Sequence, residues 1–210
     1  FDAASGAGFS IYIGDAPGTD PCTDPLDVTT CGLHLNGSTT FDIKAGTPTN
    51  GTVAGSFAGG TFTGGPGTLN LQIALSSGSP IDIALQDARA KITDITATTI
   101  TQGVIGGSVL KTDIDSKILP AVADLITPIV TEECAPAGGQ CNCTAGGSAE
   151  TVLGLFDADN NCEVTLAEIQ SNAIITSLLA PDIDTDGDDV EDAVSLGASI
   201  TAVGAVFTKP

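Results

Sequence analysis

The sequence is short of basic residues and lacks two of the larger apolar ones. It contains no methionine and no tryptophan, and six Lys and Arg residues stand against 26 Asp and Glu residues, for a net charge of −20. Nucleic acids and anionic lipid surfaces are bound through Lys and Arg, so we expect neither as a partner. No apolar run approaches the roughly 20 residues of a membrane-spanning helix. The partners that this charge favours are cations.

Residues that carry catalysis are also scarce. The single histidine, His34, lies in a predicted strand, "LHLNG", and nothing around it marks a nucleophile. The sequence has neither a G-x-S-x-G nucleophile elbow nor a phosphate-binding loop. We therefore expect that the protein is not an enzyme and has no catalytic residues. If it were an enzyme, the alternative is a hydrolase that uses buried carboxylates.

Six cysteines, an even number, predict disulfide bonds and hence an oxidising, extracellular compartment. Cys22 and Cys31 bracket a polar loop, "CTDPLDVTTC", and are expected to pair with each other. This pairing and the acidic surface together suggest a secreted protein of the cell surface.

The other four cysteines lie close together in the second half of the chain. Cys141 and Cys143 are too near each other to pair, so each is expected to take Cys134 or Cys162. A zinc site made of these four thiols is the alternative, although the C-x6-C-x-C spacing is not typical of zinc-binding motifs. Three sequons would permit surface glycosylation in an organism that performs it: Asn36, Asn50 and Asn142.

Residues 1–110 show the alternation that is typical of β-strands. Phe9, Ile11 and Ile13 share one face of a predicted strand over 8–14. The stretch "LNLQIALSSGSPIDIAL" predicts a hairpin, because two alternating apolar runs flank a turn sequence. Short strands with Gly-rich turns predict a mainly β body of sandwich or jelly-roll type.

The apolar period changes to three or four residues after about residue 111. Ile114, Ile118 and Val122 begin one apolar face of a helix, which Pro120 and Pro128 are expected to break or kink.

Two further helices and a final strand are predicted after that helix. Ser148 is expected to be the N-cap of a short helix, and a second helix is predicted over 165–180, where Pro181 ends it. Alternation returns over 193–207. We therefore predict a helical insertion on a β body, with these segments: 1–110 β-rich, 111–192 helical, and 193–210 a returning strand.

The stretch "DADNNCEVTLAE", residues 157–168, places oxygen-bearing residues at alternate positions and ends in glutamate. Flanked by two predicted helices, it resembles the calcium-binding loop of EF-hand proteins over 148–179. The resemblance implies a Ca²⁺ ion held by six to eight oxygens at about 2.3–2.6 Å. The implied ligands, at loop positions 1, 3, 5, 7, 9 and 12, are Asp157, Asp159, Asn161, Glu163 (through its carbonyl), Thr165 and Glu168.

Position six of this loop departs from the family. The family has glycine where the chain turns with a positive φ, and this sequence has Cys162. A non-glycine residue there costs roughly 1 kcal/mol, and a disulfide from Cys162 would hold the strained turn. The alternative interpretation is an acidic capping region, in which Asp157 and Asn161 only cap helices.

A second acidic stretch, "PDIDTDGDDVEDA", carries seven carboxylates over residues 182–192. It resembles the aspartate-rich loops of thrombospondin type 3 repeats and dockerin-like calcium modules. One register starts Asp182-x-Asp184-x-Asp186, with Gly187 at position six, and the other uses Asp184, Asp186 and Asp188 with Asp192 at position nine. Without a cation these carboxylates would repel one another. A solvated acidic linker is the alternative.

These features favour a secreted, calcium-stabilised structural protein of the cell surface. Its apolar terminal strands, 8–14 and 193–207, could add to the sheet of a neighbouring subunit and produce a homo-oligomer, fibre or layer. The alternative for these two strands is pairing within one subunit. An adhesin-like or apolar-ligand-binding extracellular module is the second functional hypothesis.

Overall fold

The computed structural model describes residues 7–15, 40–47, 51–73, 81–96, 98–137 and 140–208. The strands are β1 (Ala7–Phe9), β2 (Thr40–Asp42), β3 (Val53–Ala58), β4 (Thr61–Gly64), β5 (Leu69–Ile73), β6 (Ile81–Ile95), β7 (Thr99–Leu110), β8 (Cys134–Ala137), β9 (Gln140–Cys143), β10 (Ala193–Val203) and β11 (Val206–Thr208). The helices are α1 (Lys111–Asp113), α2 (Leu119–Glu133), α3 (Ser148–Phe156), α4 (Leu166–Ser171) and α5 (Ala173–Leu178), and a π-helical turn, Ile114–Ile118, joins α1 to α2.

One curled sheet of seven strands dominates the described part of the chain. Its order is β1-β3-β4-β6-β7-β10, and β5 also pairs with β6. The β1–β3, β3–β4, β4–β6 and β6–β7 pairs are antiparallel. The prediction of a mainly β chain is confirmed. The finer prediction of a sandwich or jelly roll is not confirmed, because the other described strands form only two small two-stranded sheets, β2–β11 and β8–β9.

Strand β6 changes its buried face halfway along. Its buried residues fall at odd positions up to Leu85 and at even positions from Ala88 onward. The backbone at Asp87 is left-handed (φ 49°), and the register with β7 shifts at the same place. Such a bulge inserts one extra residue and reverses the alternation. Arg89 and Lys91 are therefore exposed, although unbroken alternation would have buried them.

Both predicted terminal strands pair within the chain. β1 is Ala7–Phe9, so it covers only residues 8–9 of the predicted 8–14, and it pairs with β3. β10 stands at the other end of the sheet beside β7, and β11 pairs in parallel with β2.

The helix predicted after residue 111 is present and runs to Glu133 through the π-helical turn. Pro120 lies in the first turn of α2, directly after the π-helical turn, and Pro128 lies inside α2, yet neither ends the helical run. The buried face of this helical run consists of Ile114, Leu119, Ile126 and Val130.

Two predictions about the later helices are wrong. Ser148 is the first residue of α3 and not its N-cap, because Gly147 takes that place without a side-chain cap. A carboxylate oxygen of Glu133 instead accepts a hydrogen bond from the Ala149 N–H at 2.8 Å. The helix predicted over 165–180 is two helices, because Asn172 between them is extended (ψ 128°) and its side chain caps α5.

The contacts divide the described residues into two compact units. One contains the described residues of 1–72, 83–108 and 195–210, and the other those of 73–82 and 109–194. The helices and both acidic stretches belong to the second unit. Among the described residues, none of the helices combines the length and the apolar character that a membrane crossing requires.

Candidate metal centres

The first acidic loop lies between two helices, as the sequence predicts. Helix α3 ends at Phe156, immediately before Asp157, and α4 begins at Leu166. Thr165 is the N-cap of α4 and forms a capping box with Glu168, in which each side chain accepts a hydrogen bond from the other residue's backbone N–H. The cap fixes Glu168 at the start of the helix, so its carboxylate turns back over the loop.

Three carboxylates meet in this loop. Asp157, Asp159 and Glu168 each bring one oxygen within 4.8 Å of the others. Two oxygen ligands on one cation at 2.3–2.6 Å are at most about 5 Å apart, so this spacing suits a single ion. These three residues could hold a metal ion.

Hydrogen bonds to the backbone hold these side chains in place. Both oxygens of Asp157 accept, Oδ1 from the Asn161 N–H at 3.0 Å and Oδ2 from the Cys162 N–H at 3.0 Å. Asp159 Oδ2 accepts from Asn161 Nδ2 at 3.0 Å. Asn161 Oδ1 accepts from the Glu163 N–H at 2.8 Å. The loop thus positions its oxygens through local bonds between its own residues.

Glu168 is held in its charged form. Its pKa is lowered chiefly by a hydrogen bond from the Thr165 N–H; burial opposes this, and the Thr165 hydroxyl and the Ala158 N–H lower the pKa further. The bonds are 2.8 Å from the Thr165 N–H, 2.8 Å from its Oγ1 and 2.9 Å from the Ala158 N–H. A carboxylate that stays ionised is a good ligand for a hard cation.

The two remaining residues of the first loop lie outside the group of three carboxylates. Glu163 is exposed and does not belong to the carboxylate group, so its contribution would be the backbone carbonyl that the EF-hand resemblance implies. The Thr165 hydroxyl donates to Glu168, so in the structure it supports a ligand.

Position six adopts the left-handed backbone that the EF-hand resemblance implies. Cys162 has a positive φ of 72°, a region where glycine is favoured. Its sulfur is bonded to that of Cys141 in β9. The disulfide therefore anchors the strained turn to the neighbouring hairpin.

The cysteine cluster forms two disulfides. Cys134 pairs with Cys143 and Cys141 pairs with Cys162, so these four residues offer no thiolate for zinc. The first bond joins the two strands of the β8–β9 hairpin, where the two cysteines are directly opposite. Asn142, one of the three sequons, lies exposed on β9. His34, Cys22, Cys31, Asn36 and Asn50 lie outside the described residues.

The second acidic loop brings together Asp184, Asp186 and Asp188, whose ligand oxygens also lie within 4.8 Å of one another. Asp184 accepts from the Gly187 N–H at 2.7 Å and the Asp189 N–H at 2.9 Å. The Gly187 bond is the main cause that lowers the pKa of Asp184.

This arrangement selects one of the two predicted registers. The group begins at Asp184 and does not include Asp182, whose N–H donates to the Ala193 carbonyl next to the loop. Asp192, at position nine, accepts from the Thr185 N–H at 3.0 Å and from the Thr185 hydroxyl at 2.9 and 2.7 Å. Asp192 therefore closes the loop on itself in the structure.

The two loops share one backbone pattern. The first loop has positive φ at positions four and six, Asn160 (58°) and Cys162 (72°), and the second has it at the same positions, Gly187 (81°) and Asp189 (65°). In both, the position-one aspartate accepts from the N–H of position six, and the side chain at position five accepts from the N–H of position seven.

The loops differ in how they end. The first closes with Glu168 at position twelve, whereas position twelve of the second is Ser195 in β10. The second loop is followed by a strand and not by a helix.

The repeat of the two loops could have been noticed in the sequence. Each has Asp-x-Asp at positions one to three, and residues that tolerate left-handed backbone, Asn160 and Gly187, stand at position four. The repeat is hard to recognise because position six is cysteine in the first loop and aspartate in the second, and neither is the glycine of the EF-hand pattern. Comparison of the chain with protein families, curated proteins and solved structures finds no match.

Proposed function

We propose that this chain is a secreted structural protein of the cell surface, whose helical unit is stabilised by calcium in its two acidic loops. The observation that carries the proposal is the pair of loops with the same backbone pattern and converging carboxylates. Calcium is the ion proposed because the ligand groups contain only oxygen, which hard cations prefer.

A structural role for the ion is favoured over a signalling role. The Cys141–Cys162 disulfide anchors the first loop, which leaves little freedom for the helix opening of calcium sensors. Such sensors expose a methionine-rich groove when they open, and this sequence contains no methionine. Disulfides are also typical of extracellular proteins, where calcium is abundant.

The proposed assembly uses the strand at the end of the sheet. β10 is 11 residues long and stands last in the strand order, and within the described chain no further strand pairs with its outer side. No residue from Ala193 to Thr208 is charged. Soluble proteins usually protect such an edge with a charge, a proline or a bulge. A neighbouring subunit could therefore add a strand here.

Electron microscopy of the calcium-loaded protein tests the assembly. We expect fibres or layers from the native chain and none from a variant with Ala198→Lys and Ile200→Lys, which places charge along the β10 edge. Deleting residues 1–14, which contain β1, tests the other end of the sheet. Polymers unchanged in both variants would contradict assembly through strand edges.

A second function is favoured by one cavity. Its volume is about 370 Å³, and its lining is mainly apolar, with Tyr12, Phe41, Ile43 and Phe207. Phe207 is 58% exposed, which is unusual for so large an apolar side chain. This cavity would suit a small apolar ligand. Solvent extraction of purified protein followed by mass spectrometry should recover such a ligand, and Phe207→Asp should abolish the recovery.

A further inference from the structure

Arg89 and Lys91 lie two residues apart on β6, whereas Lys44, the other exposed cation without an ion pair among the described residues, lies by itself after β2. The sequence has only six Lys and Arg residues. Lys111 and Lys117 form ion pairs with Asp115 and Asp113. Arg89 and Lys91 are exposed on β6, and among the described residues neither has an ion-pair partner. Exposed cations without ion-pair partners are unexpected in a chain with a net charge of −20, and the nearest acidic residues on the same strand are Asp87 and Asp94.

The bulge in β6 puts these two residues on the exposed face of the strand. Residues at i and i+2 of a strand point the same way, about 7 Å apart. The change of phase at Asp87 exposes Arg89 and Lys91 while Ala90 remains buried. Bulges are frequent next to functional sites because they re-aim side chains.

The two cations lie in a groove on the sheet. The groove has a volume of about 670 Å³ and is lined by Ala54, Gly55, Ser56, Thr63, Gly64, Gly65, Arg89, Ala90, Lys91, Val104 and Gly106. The small residues keep its floor open. The cross-strand neighbours of Lys91 are Thr63 and Val104, and Val104 is 50% exposed. The groove thus combines two cations, hydroxyl groups and one apolar contact.

We propose that this groove binds the acidic segment 182–192 of a second copy of the chain. Arg and Lys bind carboxylates strongly, and Arg can bind one with two parallel hydrogen bonds. Asp189 and Glu191 are exposed and lie outside the group of metal-ligating carboxylates, so they keep their charge when an ion is bound. Val190 between them is 60% exposed. The segment thus presents the carboxylates of Asp189 and Glu191 on either side of the apolar Val190. The groove presents cationic side chains next to the apolar Val104.

A second copy is the favoured occupant because this chain itself supplies the complementary charge. The groove and the acidic segment are different surfaces, so their contact is head-to-tail. A head-to-tail contact continues into a filament unless its rotation closes a ring. The inference rests on the proposed self-assembly. It adds to that assembly a second contact between subunits, in addition to the β10 edge.

Sedimentation velocity of the calcium-loaded chain at low ionic strength tests the inference. We expect the native chain to self-associate, and about 1 M salt to dissociate it, because the screening length is then about 3 Å. The variant Arg89→Glu/Lys91→Glu should weaken association at least tenfold. The control Lys44→Glu/Lys117→Glu, which changes the net charge equally outside the groove, should weaken it less than threefold.

A charge exchange supplies the second arm. Asp189→Asn/Glu191→Lys should also lose association alone, and an equal mixture with Arg89→Glu/Lys91→Glu should recover it, since each variant offers a surface that suits the other. Asparagine tolerates the left-handed backbone of Asp189. Circular dichroism of each variant checks that it is folded.

Three results would overturn the inference. These are a native chain that stays monomeric at low ionic strength, equal association of the groove variant and its control, and a mixture that does not recover. If the native chain bound a sulfated polysaccharide through Arg89 and Lys91 but did not self-associate, the groove would have a different occupant. Melting each variant with and without EDTA keeps the calcium proposal separate, because groove variants should retain the native response to EDTA.

Discussion

Cys162 combines a strained backbone with a covalent bond. Its φ of 72° costs a side-chain-bearing residue roughly 1 kcal/mol. The disulfide to Cys141 joins residues that are 21 positions apart in the sequence. A disulfide that closes a loop of this size typically stabilises a fold by about 2–4 kcal/mol. The gain from the crosslink therefore exceeds the cost of the missing glycine.

Removing the disulfide in two ways separates these contributions. Cys141→Ser/Cys162→Ser and Cys141→Ser/Cys162→Gly both lack the bond, but only the second has the residue that the turn favours. We expect the glycine variant to be more stable by about 1 kcal/mol. Urea denaturation of both in calcium measures the difference, and equal stabilities would show that the backbone at position six is not strained.

Glu168 is predicted to bind the ion while also capping α4. Glu168→Gln should keep the cap, because glutamine also fits the capping box. It should weaken calcium binding at the first loop roughly tenfold or more, which corresponds to about 1.4 kcal/mol. Glu163→Gln is the matched control, since Glu163 is exposed and outside the carboxylate group. Calorimetric titration should show a loss of calcium affinity in Glu168→Gln only. Equal calcium affinities of the two variants would show that Glu168 is not a ligand.

The lowered pKa values of Glu168 and Asp184 predict acid sensitivity in metal-free buffer. A carboxyl group with a lower pKa in the folded state stabilises the fold above its unfolded pKa, and this contribution disappears as the pH falls through the folded pKa. We therefore expect stability to be retained down to about pH 4 and to fall below it. Glu168→Gln cannot titrate at that position and should show a shallower decline in urea melts at pH 7, 5 and 3.

At the level of single residues, the sequence predicted the spacing of the candidate ligands. It did not predict the hydrogen bonds and backbone angles that fix the register. Alternate oxygen-bearing residues identified Asp157 and Asp159. The sequence left two registers open at Asp184, because Gly187 suits a left-handed position in either. Only the backbone conformation at Asp189 decides between them, and aspartate adopts positive φ too seldom for the sequence to predict it at this one position.

Elements are less predictable from periodicity where one polar side chain interrupts them. The helix predicted over 165–180 ends early because Asn172 Oδ1 accepts from the N–H of Ile174 and Ile175 and so starts a new helix. Its Nδ2 also donates to the Leu155 carbonyl at 2.7 Å. In β6, Ile83 and Leu85 are buried at alternate positions, as a strand requires, but the bulge at Asp87 then reverses the alternation and gives no signal in hydropathy.

The common backbone pattern of the two loops predicts two binding events. Calorimetric titration of the native chain should give two calcium ions per chain. Asp184→Asn/Asp186→Asn should leave one, because Asn keeps the size and some hydrogen bonds but removes both charges. Val190→Ala is a nearby control, because the Val190 side chain is exposed and the change keeps all three carboxylates of the loop. A native stoichiometry of one would restrict calcium to the loop between α3 and α4.

At the scale of the whole molecule, composition predicted the disulfides and the acidic groups better than it predicted the architecture. The acidic charge and the even number of cysteines indicated cation binding and disulfides, and the structure contains two acidic groups and two disulfides in its described residues. Alternation predicted strands, but strand order depends on long-range pairing that local patterns do not encode. The groove of Arg89 and Lys91 could not be predicted for the same reason.

The most direct test of calcium-dependent stability is the melting temperature of the native chain in calcium and in EDTA. Binding to the folded state alone adds about 2.7 kcal/mol at a hundredfold excess of free ion over the dissociation constant. We predict a lower melting temperature in EDTA, which calcium restores and the same concentration of magnesium restores less well. A melting temperature that is the same in calcium and in EDTA would contradict the proposal that these loops bind calcium to stabilise the fold.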